Sequence, residues 1–579
     1  MAPKPAVATR PASFGQQVAA IEIPVEEGCD PSVAGKTVEK RGNFGDTDRG
    51  VGKRSIKEGV ISVRLGFVEN FSLELGKDAL MVYGIMFSLL MQGDAMKVLA
   101  KVRCLWRQRE EELLRLIGEQ LAREISPSEF FLFEQRLQAV LREVGREVLE
   151  VVVNAMEPAE HPQWPTRVEQ AGGEYRRRAQ QTPHRNVATL FGSITLARLG
   201  YRSCGAGDPS LFPLEESLGL VKGCTPALAE RVGFHAGQAG ATQRTVLALL
   251  RREHGVTLGV GRLRQLLEAL SEATAPLRRE AQARRICELL QQAFARKGRG
   301  RPTLAVGRDG ITVGNQPHGF FEVATCATVS VLDRRGKRLG TVSLGFAPEL
   351  GQQAMTDELL ALLHEIFRQW TGALPRLAYV SDAGGQEETF YTQRLSRMRH
   401  PVTKTRLRWQ RVVDYYHAAQ RLTTLAESLR LDQDLARAWA RRMRRVLKEP
   451  NGVSRVLHSA GALQSRYGTR NREQARAFAT ACSYLRRRSV WMRYHDFRSA
   501  ALPIGSGVTE AACKTLFTQR VKLSGMRWKR SGLQIVLNLR MLVLSGVWNA
   551  VYSRSLEERD TLPIRTLTGP SRHHPRQAA

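Results

Sequence analysis

Apolar and polar residues alternate most regularly between positions 303 and 382, where strand-like runs surround one helix-like segment. Short apolar runs bounded by turn residues predict β-strands, whereas apolar residues spaced three and four apart predict an amphipathic helix. In chain order, the predicted elements are strands at Thr303–Asp309, Phe320–Leu332 and Arg338–Phe346, a helix at Thr356–Trp370 and a strand at Leu377–Ser381, with a hairpin turn at Asp333–Gly336. Three strands in a meander, then a helix and a further strand, predict an α/β domain with a mixed sheet.

Two aspartates end two of these predicted strands, Asp309 after the first and Asp382 after the fourth. An RNase H-like fold begins with this order of elements and places its first and fourth strands side by side. We therefore predict an α/β RNase H-like core, a mixed sheet flanked by helices, with two carboxylates at one edge. Like charges this close repel unless a proton or a cation lies between them, and oxygen ligands suit Mg²⁺. The alternative is that both are turn residues, as in Asp-Gly turns.

The region before this core has helical periodicity. Two amphipathic helices separated by Pro127 are predicted between positions 108 and 153. Their apolar stripes contain Leu113, Leu116, Ile117 and Leu121 in the first helix and Phe133, Leu137, Val140, Leu141 and Val144 in the second. We expect these stripes to pack within the chain, with self-association as the alternative.

A predicted β-hairpin at Val187–Tyr201 precedes a group of short helices. The helices are predicted at Thr225–Ala236, Thr242–His254 and Leu258–Leu270, followed by a charged helix at Ala275–Lys297. A tight turn containing Gly255 joins the second and third, a spacing typical of a helix-turn-helix. The second helix of such a unit would carry Arg262, Arg264 and Gln265 toward DNA, although helix pairs with a glycine turn also occur in other α-rich domains.

A third acid, Glu510, lies in the first turn of a helix predicted to begin near Gly507, with Ser506 as its N-cap. The free N–H groups of a first turn favour negative charge and nearby phosphate. A glutamate at this position is more often only a partner of the helix dipole, so its assignment depends on the two aspartates. Lys514, Arg520 and Lys522 follow, where they could contact a DNA backbone.

The chain has 87 Lys and Arg residues against 56 Asp and Glu, a formal net charge of +31. Such a positive field attracts polyanions, nucleic acid first, the alternative being a solubilising surface. One predicted amphipathic helix has an apolar face and a basic face suited to phosphate. Leu435, Trp439, Met443 and Val446 form the apolar face, and the basic face includes Arg441, Arg444, Arg445 and Lys448. We expect double-stranded DNA as the partner, and no membrane or small-molecule substrate.

None of the eight cysteines forms a Cys-x-x-Cys pair, so we predict neither a zinc site nor a disulfide framework and expect a cytoplasmic protein at the nucleoid. The longest apolar run, Ala79–Met91, is too short to span a bilayer. Composition and pattern together divide the chain into a disordered extension (1–76), a helical region (77–175), a hairpin and helix-turn-helix-like DNA-binding region (183–297), a catalytic domain (303–552) with a helical insertion at about 418–500, and a disordered tail (553–579).

Five short motifs stand in order in the second half of the chain. They are Gly307-Arg308-Asp309-Gly310, Ser381-Asp382-Ala383-Gly384, Val413-Asp414-Tyr415-Tyr416-His417, Leu502-Pro503-Ile504-Gly505-Ser506-Gly507-Val508-Thr509-Glu510-Ala511 and Leu523-Ser524-Gly525-Met526-Arg527-Trp528. In this order they resemble bacterial insertion-sequence transposases of the ISKra type, over roughly 183–552. One departure is that relatives often have a Cys-x-x-Cys pair after the hairpin, whereas this chain keeps only Cys204.

The resemblance implies a DDE transposase in which Asp309, Asp382 and Glu510 hold two Mg²⁺ ions, with Mn²⁺ able to substitute, and catalyse DNA cleavage and strand transfer. It also implies a helical insertion before Glu510 and an Asp-x-x-His element at Asp414 and His417, with a supporting role. Two element ends call for a homo-oligomer on DNA. The alternatives are an RNase H-like nuclease without strand transfer and a non-catalytic DNA-binding regulator derived from a transposase.

Overall fold

A computed structural model describes most of the chain after residue 94. The described residues are 95–124, 126–156, 165–177, 184–203, 210–314, 321–560 and 564–566. The predicted extension (1–76) and Cys204 lie outside them. The described residues combine many helices with a five-stranded mixed sheet, which confirms the α/β prediction at this level.

The first two helices form an antiparallel hairpin, α1 (Ala95–Leu121) and α2 (Pro127–Ala155). Helix α2 begins after Ser126, whose side chain accepts a hydrogen bond from the Glu129 backbone N–H at 3.2 Å, with proline at the first helical position. Both helices were predicted, but the prediction that the apolar stripe of α1 is buried as one face is wrong. Its Ile117 and Leu121 side chains are exposed by 41% and 82%.

Short strands follow the helical hairpin. They are β1 (Arg167–Gln170), β2 (Gly173–Arg177), β3 (His184–Thr189), β4 (Gly192–Ala197) and β5 (Tyr201–Ser203). Strands β3 and β4 form the predicted hairpin around a two-residue turn. The pairing of β2 with β1 and β5 was not predicted, because these strands are short and carry charged residues on partly exposed faces.

The next helices are α3 (Pro213–Ser217), α4 (Pro226–Ala236), α5 (Gln243–His254) and α6 (Val260–Ala295). Gly255 ends α5 in the left-handed conformation at φ 65°, as the turn prediction requires. The predicted break between two helices near residue 275 is wrong, because α6 is continuous through Pro276. Side chains on both sides of Pro276, such as Leu270 and Ala283, are buried, and this packing offsets the lost backbone hydrogen bond.

A five-stranded sheet lies at the centre of the C-terminal half, in the order β10-β9-β6-β7-β8. Its elements are β6 (Thr303–Gly314), β7 (Phe321–Leu332), β8 (Arg338–Phe346), α7 (Gln353–Gln369), β9 (Arg376–Ser381), α8 (Gly385–Gln393) and β10 (Trp409–Val413). Strands β6, β7 and β8 are antiparallel neighbours, whereas β6, β9 and β10 run parallel. The predicted meander, helix and adjacency of the first and fourth strands are therefore confirmed.

Helix α6 shares its core with the sheet. Ala283, Ile286 and Leu290 are buried in the same hydrophobic cluster as Val329 of β7 and Leu363 of α7. The glycine- and arginine-rich segment after α6 therefore does not separate two hydrophobic cores. The domain boundary predicted between residues 297 and 303 does not divide the chain into two independently packed domains.

The predicted helical insertion is present between β10 and the last part of the core. It contains α9 (Tyr415–Glu427), α10 (Gln433–Val446), α11 (Gly452–Tyr467), α12 (Arg472–Arg488) and α13 (Tyr494–Ser499). These helices bury their own hydrophobic cluster, which reaches the sheet through Val380 and Val412. The expected apolar face of α10 is wrong at Leu435, which is 58% exposed, while Ala436 and Ala440 are buried instead.

The last elements among the described residues include the helices α14 (Gly507–Cys513), α15 (Arg530–Leu544) and α16 (Trp548–Asp560) and the strand β11 (Arg565–Thr566). The predicted disordered tail (553–579) is wrong for residues 553–560, because Ser555 is buried within α16, and for β11, which pairs with β1. Among the described helices, none alone is long and apolar enough to cross a membrane; α15 and α16 meet that criterion only jointly, across a 114° bend.

Candidate active site

Asp309 and Asp382 lie at corresponding positions on two neighbouring parallel strands. The parallel pairing of β6 with β9 reaches Gly307 opposite Val380, and each aspartate lies two residues further along its own chain. The prediction that β6 ends at Asp309 is wrong, because the strand continues to Gly314, paired with β7 alone. Strand β9 has ended at this level, so one side of Asp309 is open to the space beside Asp382.

The turn that carries Asp382 is held by the helical insertion. The Tyr484 hydroxyl donates to the Asp382 carbonyl oxygen at 3.0 Å, and Arg488 Nη2 donates to the Ala383 carbonyl oxygen at 3.1 Å. Ala383 has a φ of 60°, a left-handed conformation that a non-glycine residue keeps only when its surroundings impose it. Helix α12 therefore positions the carboxylate of Asp382 through Tyr484 and Arg488. The sequence did not predict this role, because the residues around Tyr484 and Arg488 carry no signal for it.

Glu510 reaches the same region on α14, which packs tightly against β6 and β7. The Thr509 hydroxyl lies 2.8 Å from that of Thr328, and a Cβ atom built on Gly307 would lie 2.0 Å from Thr509 Oγ1. Only glycine at position 307 allows this approach. The N-cap prediction for Ser506 is wrong in its bonding, because Ser506 Oγ makes no bond to a helix N–H and instead donates to Glu510 Oε1 at 3.0 Å.

Replacing Gly307 with alanine should displace α14 and with it Glu510. We expect a loss of stability of about 1–3 kcal/mol from overpacking and a fall in any metal-dependent DNA cleavage of about 100-fold from misplacement of the carboxylate. Thermal unfolding and a cleavage assay measure the two effects. The double variant Gly307→Ala/Thr509→Ala should recover much of both, whereas Gly314→Ala, where the nearest atom is 3.7 Å away, should resemble the unmodified protein. Equal behaviour of the two single alanine variants would contradict the tight approach of α14 to β6.

Asp414 joins three elements of the site from a fully buried position. Its Oδ1 accepts hydrogen bonds from the backbone N–H groups of Tyr416 at 2.5 Å and His417 at 2.9 Å, and its Oδ2 accepts one from Ser506 N–H. The Asp414 N–H donates to the Ser381 carbonyl oxygen at 2.8 Å. The carboxylate thus caps α9 and fixes it to the start of α14, while the backbone N–H of Asp414 ties α9 to the end of β9. These bonds give Asp414 a positioning role.

His417 is the second residue of the Asp-x-x-His element and lies beside the third acid. Its Nε2 atom is 4.0 Å from Glu510 Oε1, and both side chains are partly exposed. The N–H groups bound to Asp414 fix the first turn of α9, the turn that carries the imidazole beside Glu510.

The three acids interact electrostatically. Burial raises the pKa of the Asp309 carboxyl, and the negative charges of Asp382 and Glu510 raise it further. The Gly310 N–H, 2.7 Å from Oδ1, and the Cys513 thiol, 3.6 Å from Oδ2, act in the opposite direction. Within the described ranges, no three His, Cys, Asp or Glu side chains form a ready-made metal site. The hard oxygen donors and their mutual repulsion nevertheless fit a divalent cation, which would relieve that repulsion.

The raised pKa of Asp309 has a testable consequence for stability. A carboxyl whose pKa is raised by folding favours the folded state below its ordinary pKa of 3.8 and loses that contribution as pH rises through the raised value. In a chelator, Asp309→Asn should therefore be more thermostable than the unmodified protein, and the difference should grow from about pH 4 to neutral pH, reaching on the order of 1–2 °C. Differential scanning calorimetry across this range measures it. A difference that shrinks as pH rises would refute the expected sign.

Most of the predicted DNA-contacting side chains are accessible. Those that the structure exposes are Arg264, Gln265, Arg441, Arg444, Arg445, Lys514 and Lys522. Lys448 is half-buried, with its ammonium nitrogen 4.6 Å from the centre of the Tyr415 ring. Except for the neutral Gln265, these side chains supply positive charge on α6, on and just after α10, and near α14.

One of the predicted DNA contacts is wrong, that of Arg520, and a second side chain, that of Arg262, is bound within the fold. Arg520 is 3% exposed, donates to the Ala236 carbonyl oxygen at 3.1 Å, and has a pKa lowered to about 10, chiefly by burial. Arg262 donates through Nε to the Lys222 carbonyl oxygen and through Nη2 to that of Gly223, both at 2.9 Å. Both guanidinium groups satisfy backbone carbonyls within the fold, a use of arginine that charge pattern alone cannot distinguish from phosphate binding.

Comparisons with known proteins add no family assignment. No protein-family model matches the chain, and the search of curated proteins found no match either.

Proposed function

We propose that the chain is a DDE transposase with an RNase H-like catalytic core, which cleaves DNA strands and joins them to new DNA. The observation that carries the proposal is the convergence of Asp309, Asp382 and Glu510 from β6, the end of β9 and α14, with Asp309 under the influence of both other charges. The meander and the parallel pairing of the first and fourth strands support the RNase H-like assignment. The ISKra-type motifs contribute each of these acids in order.

The proposed chemistry needs little beyond positioning and charge. Two Mg²⁺ ions, or Mn²⁺ in their place, would supply Lewis-acid chemistry at the scissile phosphate when bound. Asp309 and Asp382 would hold them, with Glu510 completing the second site. Asp414 keeps α9 and α14 in place, and Tyr484 keeps the Asp382 turn in place, so the acids need not reorganise when DNA arrives.

The net charge of +31 and the exposed basic side chains support a DNA substrate. Arg441, Arg444 and Arg445 lie on α10 of the insertion, which shares a hydrophobic cluster with α12, the helix that bonds to the Asp382 turn. Phosphate contacts by this surface would therefore lie on the same structural unit that holds the second acid. We propose double-stranded DNA, as element ends and target, as the substrate.

The decisive experiment is a strand-transfer assay that uses duplexes from the DNA flanking the coding region, supplied with free 3′-hydroxyl ends, together with Mg²⁺ and a plasmid target. Joined products that require the three acids would support the transposase. Metal-dependent cutting without joining would instead identify an RNase H-like nuclease. DNA binding with neither reaction would indicate a non-catalytic regulator and overturn the proposal.

A further inference from the structure

One side of helix α1 exposes large apolar side chains along its whole length. They are Met96, Leu99, Trp106, Leu114, Ile117 and Leu121, with exposed fractions between 41% and 82%. At 3.6 residues per turn, all six fall within a sector about 80° wide. We refer to these six side chains as the α1 stripe. Arg103 and Glu110 lie within the same sector, on either side of Trp106 in the chain. Six large exposed apolar side chains on one side of a helix indicate a contact with another molecule or segment.

The α1 stripe is not the face that packs against α2. Arg109 of α1 marks that face, because its Nη2 atom lies 2.6 Å from Glu147 Oε1 of α2. On the helix surface, Arg109 lies about 100° from the centre of the stripe. The apolar residues around Arg109, Leu105 and Leu113, are half-buried, in contrast to the stripe. Helix α2 therefore covers one face of α1, and a second apolar face of α1 has no partner among the described residues.

Charge is segregated along α1 in a way that selects its partner. Of the charged residues on or beside the stripe, the basic ones, Arg103 and Arg107, lie in the first half of the helix, and the acidic ones, Glu110 and Glu111, lie in the second half. A second copy packed parallel would place like charges together. An antiparallel copy would place each basic half beside an acidic half, which favours that arrangement.

The size of the surface also suits a dimer. A helix of 27 residues is about 40 Å long, and one half of a cylinder 10–12 Å across then presents roughly 700 Å². Stable interfaces bury about 800 Å² on each partner. The stripe with its flanking charges therefore approaches the area that a specific contact requires.

We propose that α1 is a homodimerisation helix, which packs its stripe antiparallel against the stripe of a second copy about a two-fold axis near Gln108. The basic half of each helix then lies beside the acidic half of its partner. This proposal does not depend on the catalytic function, because it concerns a surface on the helical hairpin that contains none of the three acids.

Sedimentation equilibrium of the full chain tests the proposal. The unmodified protein should be a dimer at about 10 µM, and Leu114→Glu/Ile117→Glu should raise the dissociation constant by at least about 100-fold. Leu435→Glu, at a residue on α10 with nearly the same exposed fraction, 58% against 61% at Leu114, should not change it. A monomeric unmodified protein would overturn the proposal and leave residues 1–94 or another molecule as the cover of the stripe.

Charge reversal tests the antiparallel arrangement separately. Arg103→Glu/Arg107→Glu and Glu110→Arg/Glu111→Arg, all at exposed positions, should each weaken the homodimer by about 10-fold. Mixed in equal amounts, the two variants should form a heterodimer with nearly the original affinity. Reversal variants that each dimerise normally, or a mixture that does not recover, would overturn the antiparallel pairing.

Discussion

Replacing Asp382 or Asp309 with asparagine should abolish metal-dependent DNA cleavage while leaving the affinity for DNA within about threefold of the original. Asparagine preserves the size of each side chain and removes the charge that a cation requires. Loss of the cation should slow cleavage by at least about 1000-fold. Gel-based cleavage of labelled duplexes and a mobility-shift titration measure the two quantities on the same preparations.

The appropriate control is Asp496→Asn, because Asp496 is an aspartate on α13 with a 58% exposed side chain. It should cleave at the original rate. Cleavage retained by Asp309→Asn or Asp382→Asn would remove these residues from the reaction, and the proposed function would fail with them.

Asp414→Ala should destabilise the protein several times more than the loss of an exposed helix cap. The substitution leaves the N–H groups of Tyr416, His417 and Ser506 without the buried carboxylate that accepts their hydrogen bonds. Unmet buried donors of this kind cost about 3–5 kcal/mol in total. Cleavage should fall by at least about 100-fold even where the variant remains folded, because α14 and Glu510 lose their attachment to α9.

A matched variant is available at Asp432, which caps α10 from an exposed position and accepts one hydrogen bond from the Asp434 N–H at 2.9 Å. Asp432→Ala should cost about 1 kcal/mol and leave cleavage unchanged. Urea denaturation gives both free energies of unfolding. Similar losses at Asp414 and Asp432 would show that burial of the Asp414 carboxylate has no special effect.

The core strands could be predicted because their physical signals are local. Alternating apolar residues and the turn at Asp333–Gly336 gave β7 and β8 with the ends that the structure has, apart from Phe320, which lies outside the described residues. Strand β10 was missed because Trp409–Val413 interrupts its apolar pattern with Gln410 and Arg411. Arg411 is 1% exposed, with its Cζ atom 3.9 Å from the centre of the Trp491 ring and its Nη1 atom 3.9 Å from Glu388 Oε1. These contacts join distant parts of the chain and have no local signature.

The residues of the candidate site also fall into those with a local sequence signal and those without one. Asp309 and Asp382 could be selected because each lies at or near the end of a predicted strand, and the strand order places them together. The hydrogen bond from Tyr484 to Asp382 joins residues 102 positions apart, and that from Ser506 to Asp414 joins residues 92 apart. Such bonds depend on how the insertion folds back on the sheet. The burial of Arg520 was missed for the same reason, since its partner Ala236 is 284 positions away.

Helix α6 runs as a single element from the hydrophobic cluster that it shares with α4 and α5 to the cluster that it shares with the central sheet. It has 36 residues, about 54 Å of unbroken backbone, with Arg264 and Gln265 exposed near its start and Ile286 and Leu290 fixed beneath the sheet near its end. If the proposed function holds, a DNA duplex bound at the start of α6 lies at a constant distance from the carboxylates of Asp309, Asp382 and Glu510. The protein would then cut each element end at a fixed distance, counted in base pairs, from the sequence that it binds.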